Sequence, residues 1–199
     1  MKSITLAVTG ASGAQYGLRL LQQLLAADMN VHFLLSAAAR DVIALETDIA
    51  LPNDDSELAS YFAKQFGVEA GLLHCYGARE WTASVASGSN APEAMVVCPC
   101  SSGTLSAIAT GASNNLIERA ADVMIKERKP LIVVHREMPL STIHLQHMLS
   151  LSQLGVVVMP ASPGFYHRPE SVADMVDFVV ARVMDQLGVK NSLVARWGA

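Results

Sequence analysis

Two short turns rich in small and hydroxyl side chains carry the pattern from which chemistry can be read. The first, Thr9-Gly10-Ala11-Ser12-Gly13-Ala14, follows an apolar, β-branched run and leads into a leucine-rich stretch. A turn from strand to helix points unpaired backbone N–H groups and the positive helix end at any nearby anion, and small residues let that anion come close. The second, Cys100-Ser101-Ser102-Gly103-Thr104, follows another apolar run, and its hydroxyls suit either helix capping or ligand contact. The first turn is not G-x-G-x-x-G, and no Gly-Lys-Ser/Thr follows it as in a Walker phosphate loop. The second predicted strand ends at Leu35-Ser36, where a dinucleotide site would place an acid for the ribose hydroxyls. That disfavours NAD and leaves a mononucleotide such as FMN.

Charged candidates follow later in the chain: Arg119, Lys126, Arg136 with Glu137, and Arg182. Lys126 closes a predicted helix, where a cation is favoured without any ligand. Arg136 lies two residues beyond a buried-looking strand, at the same carboxyl edge as both turns. Arg182 shares a helical stripe with Met175, Phe178 and Val179, so it either snorkels or reaches into a site. Glu46 and Asp48 flank Thr47 after a helical run and read, by pattern alone, as solvated carboxylates. Trp81 in a polar loop and Trp197 near the end are placements that suggest a covering ligand or subunit. The six histidines supply no ligand set; His144 and His147 lie three apart on a predicted helix with no third partner and are expected at a surface or interface. Cys75, Cys98 and Cys100 are odd in number and show no C-x-x-C spacing, which predicts reduced thiols, a cytoplasmic location and no zinc site.

These residues need a scaffold, and the apolar periodicity predicts one. Short runs at 4–8, 31–35, 94–97, 131–134 and 156–159 read as strands buried on both faces. Between them, Leu18, Leu21, Leu24 and Leu25 mark a first helix. A second runs from Asn115, an N-cap with Glu118 three residues on, toward Pro130, and a last one from Ser171 to a stop at Gly188. The expected fold is therefore α/β, Rossmann-like or flavodoxin-like: a doubly wound, mostly parallel sheet with helices on both faces. One domain over 1–199 is expected, with 188–199 as a C-terminal tail. The chain is 51% apolar and only 16% charged. No apolar run reaches the ~18 residues of a membrane span, so the excess is expected in subunit interfaces of a homo-oligomer. A net charge of −4 without a basic stripe argues against nucleic acid. The apolar stretch after Met1-Lys2-Ser3 is too short for a signal peptide and reads as a first strand.

Taken in order, Thr9-Gly10-Ala11-Ser12-Gly13-Ala14, Glu46-Thr47-Asp48, Ser87-Gly88-Ser89, Cys98-Pro99-Cys100-Ser101, Arg119-Ala120-Ala121-Asp122-Val123, Lys126-Glu127-Arg128, Arg136-Glu137-Met138-Pro139 and Gly164-Phe165-Tyr166-His167-Arg168-Pro169 closely resemble the UbiX flavin prenyltransferases. The resemblance runs from Ile4 to Trp197, and the ordered set is far more specific than any single motif.

The resemblance implies an FMN-binding subunit, assembled into a dodecamer, that joins a dimethylallyl group from dimethylallyl monophosphate to N5 and C6 of reduced FMN. The prenylated FMN then serves UbiD-type decarboxylases, including that of ubiquinone biosynthesis. By position, Gly10, Ala11, Ser12, Ser36, Ser101, Ser102, Gly103, Thr104 and Arg136 are implied FMN contacts. Lys126, Glu137, Tyr166 and Arg182 are implied to form a prenyl-phosphate pocket shared between subunits, with Trp81 and Arg119 also on the substrate. Ser12, Glu46, Lys126, Glu137, Tyr166 and Arg182 form the implied catalytic set, with Glu46 and Glu137 candidates for moving protons. A Lys and Arg clamp with a Tyr hydroxyl would neutralise the leaving phosphate without a metal. Trp81 and Trp197 would offer π faces to an allyl cation. Two alternatives share the fold: an FMN-dependent cysteine decarboxylase and a flavodoxin-like electron carrier.

Overall fold

The computed structural model describes residues 3–196 and residue 198. Six strands, β1 (Ser3–Val8), β2 (Asn30–Leu35), β3 (Leu73–Tyr76), β4 (Ala94–Cys100), β5 (Leu131–His135) and β6 (Val157–Pro160), form one sheet in the order β3-β2-β1-β4-β5-β6. Every neighbouring pair is parallel. This is the doubly wound order in which ligands bind at the carboxyl ends of the two central strands, where the winding reverses.

Burial on both faces explains the continuous apolar runs. Ile4, Leu6 and Val8 of β1 enter one core with α1 (Ala14–Ala26), α2 (Ala37–Glu46), α3 (Leu58–Phe66) and α7 (Val172–Gln186). Ala7, Leu34, Met95 and Val97 enter the other, beneath α4 (Ser102–Ala109), α5 (Leu116–Lys126) and α6 (Thr142–Gln153). The caps expected for two helices form: the Asn115 side chain accepts from the Glu118 amide, and Ser171 accepts from Asp174.

Two features depart from expectation. β3 carries only four residues, Leu-His-Cys-Tyr, with His74 exposed, so no apolar run announces it. β4 continues past Val97 to Cys100, through a shift of register against β5. Pro99 sits in that irregularity, where a missing ladder N–H costs least. The extension carries Ser101 to the sheet edge beside the first turn. Helix α6 is capped by Ser141 and His144 but buries only Leu151, leaving Ile143, Leu145 and Leu149 exposed.

Candidate active site

The carboxyl edges of β1 and β4 are tied together by one side chain. Thr9, 1% exposed, donates its hydroxyl to the Pro99 carbonyl (2.9 Å) and accepts from the Ser101 amide (2.8 Å). Both turns are thereby held in one register across the point where the sheet reverses. Ser101 caps α4, accepting from the Thr104 amide (3.3 Å) and donating to the Thr104 hydroxyl (3.0 Å). Among the described residues no acceptor takes the amides of Ser102 and Gly103, and a Cβ at Gly103 would meet open space. The first turn of α4 therefore presents two N–H donors, hydroxyls and room for a ligand.

The first turn is arranged differently. Gly13 takes a left-handed φ of 102°, which favours glycine. Its amide and that of Ala14 donate to Glu46 Oε2, at 2.9 and 3.0 Å. The N–H groups expected to be free at the start of α1 thus hold a carboxylate from the end of α2. A Cβ at Gly10 would lie 2.5 Å from that of Ala38, so this turn packs against α2 as only glycine allows. Ser36 caps α2 through the Ala39 amide (3.1 Å), while its own amide donates to the Val8 carbonyl.

Arg136 closes the cluster. Its Nε donates to the Ser12 carbonyl across 124 residues of sequence, at 3.0 Å. Burial alone would raise the Glu46 carboxyl, but the Ser12 hydroxyl, the Gly13 and Ala14 amides and Arg136 together hold it below its usual range. Glu137 accepts from the Ser102 hydroxyl (2.7 Å) and the Met138 amide, and these bonds, with Arg136, lower it too. Both carboxylates are ionised at neutral pH.

The remaining candidates lie in two other places. On α5, Arg119 donates to the Ala86 carbonyl (3.0 Å) and pairs with Asp122, and Lys126 pairs with Glu127. Gly88 lies so close to Glu127 and Lys126 that a Cβ there would collide with both. Trp81 precedes this segment and is 47% exposed. Beside α7, Tyr166 packs edge-on against Phe178 (5.5 Å), and Arg182 pairs with Asp185 at 2.7 Å. These residues border a cavity of about 150 Å³. Trp197 lies outside the described residues.

Sequence reasoning named Thr9 only as the first residue of the turn, with no role of its own, and did not single out His135 or Asp185. Thr9 is an invisible link because both of its partners lie at least 90 residues away. His135 is 3% exposed, its Nδ1 faces the Cys100 carbonyl (3.1 Å) and its ring meets that of His144 at 5.9 Å. Burial lowers its pKa, so it is neutral at pH 7. Its place directly before Arg136 was the available signal. His144, expected at a surface, also belongs to the α6 cap. Among the described residues no group of three His, Cys, Asp or Glu side chains is placed to hold a metal ion.

A doubly wound sheet with hydroxyls, open amides and an arginine at its switch point defines an α/β protein built to bind a phosphorylated ligand at the strand ends. The flavoprotein family model matches residues 1–184. The flavin prenyltransferase UbiX of Pseudomonas aeruginosa is 58% identical over 195 residues, 98% of this chain and 93% of that one. Among solved structures, AnUbiX in complex with FMN and dimethylallyl pyrophosphate superposes with a TM-score of 0.87 and 35% identity, covering 100% of this chain and 98% of that one. A dodecameric FMN-dependent UbiX-like decarboxylase from Escherichia coli gives 0.86 and 39%, covering 99% and 100%. The chain belongs to the UbiX family of flavin prenyltransferases and is accordingly a transferase.

Proposed function

We propose that the chain binds reduced FMN at the β1/β4 edge as prenyl acceptor and takes a dimethylallyl group from dimethylallyl monophosphate. The observation that carries this is the joining of both turns, Arg136 and two carboxylates into one hydrogen-bonded cluster at the switch point. The residues suit FMN: Ser36 in place of an acid after β2, the open amides of Ser102 and Gly103, and free space beyond Gly103. Arg136 supplies the cation. Gly10, Ala11, Ser12, Ser101 and Thr104 complete the contacts. Bound reduced FMN supplies the nucleophilic N5 and C6.

Lys126, Arg182 and Tyr166 neutralise the leaving phosphate, with Arg119 and Trp81 beside the donor. Because Glu46 and Glu137 are both held ionised by hydrogen bonds, each is a weak base that orients more than it carries protons. The released phosphate dianion is a stronger base than either carboxylate and is the better proton acceptor. Ser12 holds Glu46 through its hydroxyl and Arg136 through its carbonyl. A flavodoxin-like carrier has no use for a cationic cavity beside α7. The identity over nearly the whole chain lies with flavin prenyltransferases, not cysteine decarboxylases.

The three groups of candidates meet in a homo-oligomer, a dodecamer by likeness to the E. coli relative. The exposed Ile143, Leu145 and Leu149 of α6 supply apolar surface for such contacts. The free cysteines support a cytoplasmic location, and no helix among the described residues is long and apolar enough to cross a membrane. The product passes to a UbiD-type decarboxylase.

Anaerobic incubation with reduced FMN and dimethylallyl monophosphate is expected to raise the flavin mass by one prenyl unit, and to do so equally after exhaustive chelation. An unmodified flavin would end this assignment, and activity recovered only on adding Mg²⁺ would replace the Lys and Arg clamp with a metal. Light scattering at the monomer mass would remove the shared pocket.

A further inference from the structure

The outer face of α7 carries an ionic cluster centred on Asp185. Its Oδ2 accepts from Arg182 Nη1 (2.7 Å) and Arg196 Nη1 (2.9 Å), and its Oδ1 accepts from Arg196 Nη2 (2.8 Å) and Asn191 Nδ2 (3.2 Å). The Asp185 side chain is 16% exposed, against 50% and 58% for the two guanidinium-bearing side chains. Burial would raise this carboxyl, but Arg196, Asn191 and Arg182 outweigh it and keep it ionised.

Arg196 arrives from the segment after α7. Gly188, at φ 66°, reverses the chain, the Val189 amide donates to the Met184 carbonyl (2.9 Å), and Asn191 reaches the Ala181 carbonyl (3.4 Å). Of the segment expected as a tail, residues 188–196 are therefore folded back, and Asn191, Val194, Ala195 and Arg196 wall the cavity that Tyr166, Phe178, Arg182 and Asp185 also border.

The charges around this cavity do not cancel. Two guanidinium groups face one carboxylate, leaving one positive charge at a partly enclosed, partly apolar space. A guanidinium has five N–H donors. Among the described residues no acceptor takes Nε or Nη2 of Arg182, or Nε of Arg196. A clasp made only to fasten the tail would need one arginine on Asp185. The second leaves donors free for an anion, already oriented before it arrives, which lowers the ordering cost of binding.

We infer that Arg196 is a second guanidinium for the phosphate of the prenyl donor, and that Asp185 is the positioning residue that sets Arg182 and Arg196 side by side. This rests on the placement of the donor phosphate at Arg182 and Tyr166. Asp185 acts through the two arginines that it pairs with. It acts by fixing the angle between the two cations, and the C-terminal segment becomes part of the donor site.

The test is calorimetric titration of the FMN-loaded, full-length protein with dimethylallyl monophosphate, alongside steady-state kinetics and thermal melting. Arg196→Ala is expected to weaken donor binding by about tenfold and to raise KM to match, with kcat changed by less than about twofold. Arg196→Lys restores part of the affinity, because the charge returns without the fork. Asp185→Asn weakens donor binding while both arginines remain, which loss of charge on the cations cannot explain. If Arg196→Ala lowers the melting temperature but leaves donor affinity and KM at wild-type values while Arg182→Ala weakens both, Arg196 is only a fastener and the inference is overturned. If Arg182→Ala itself leaves donor affinity unchanged, the donor phosphate binds elsewhere and the underlying placement fails first.

Discussion

The starts of α1 and α4 look alike in sequence and differ in what they can bind. Both follow a central strand, both begin with small and hydroxyl residues, and both end at the same sheet edge. At α1 the chain supplies its own anion: Glu46 lies on the Gly13 and Ala14 amides. At α4 the cap is Ser101, a neutral hydroxyl on Thr104, and the amides of Ser102 and Gly103 stay available. A helix start is an anion site only where the fold has not already delivered a carboxylate to it. The first turn shapes the site and carries Arg136 through the Ser12 carbonyl, whereas the second offers the donors.

The largest effect that would probe this contrast is loss of Arg136, the cation facing both turns. Arg136→Ala is expected to lower FMN affinity by about 100-fold, since two charge-assisted contacts are removed, each of about 1.5 kcal/mol. Flavin content after gel filtration measures it, and wild-type retention would separate Arg136 from the flavin altogether.

Gly103→Ala sharpens the comparison next. Beyond its chain neighbours and the backbone of its own helix, no described atom lies within 4 Å of the added Cβ, and alanine favours a helix over glycine by about 1 kcal/mol. The variant should melt at or above the wild-type temperature yet bind FMN about tenfold more weakly, because the methyl enters ligand space. Unchanged FMN affinity would place the ligand away from α4.

Glu46→Gln should have the smallest effect on folding, a loss of about 0.5–1 kcal/mol at pH 7 as a charged group leaves a helix start. The Glu46 carboxyl is depressed in the folded protein, so its contribution is present above the unfolded value of 4.5 and fades as pH falls through the lower folded one. Urea melts of both proteins should differ at pH 7 and converge as pH falls through the depressed folded value of Glu46. A gap independent of pH would mean that Glu46 acts by packing and not by charge.

Much of the fold was legible from local pattern. The runs at β1 and β5 are continuous and β-branched because each is covered on both faces. Those at β2 and β6 were legible from their apolar residues, although His32 interrupts the first, and the second, expected to be buried on both faces, is a half-buried edge strand. Asn115 and Ser171 announced α5 and α7 because a cap bonds three residues ahead. β3 was not, since a four-residue, half-exposed edge strand needs neither alternation nor an apolar run. The extension of β4 was hidden by Pro99, which ordinarily argues against a strand.

The site divides along the same line. Residue types, their order along the chain and the strand–turn–helix context of both turns lie in the sequence itself, and they suffice to expect phosphate chemistry at a sheet edge. The pairings that build the site do not. Glu46 on Gly13, Thr9 on Ser101, Arg136 on Ser12 and Arg196 on Asp185 were decided only by tertiary structure. Each is a hydrogen bond whose partners are brought together by winding the sheet or folding back the chain end, and whether a polar group is spent on the protein or left for a ligand depends on that arrangement.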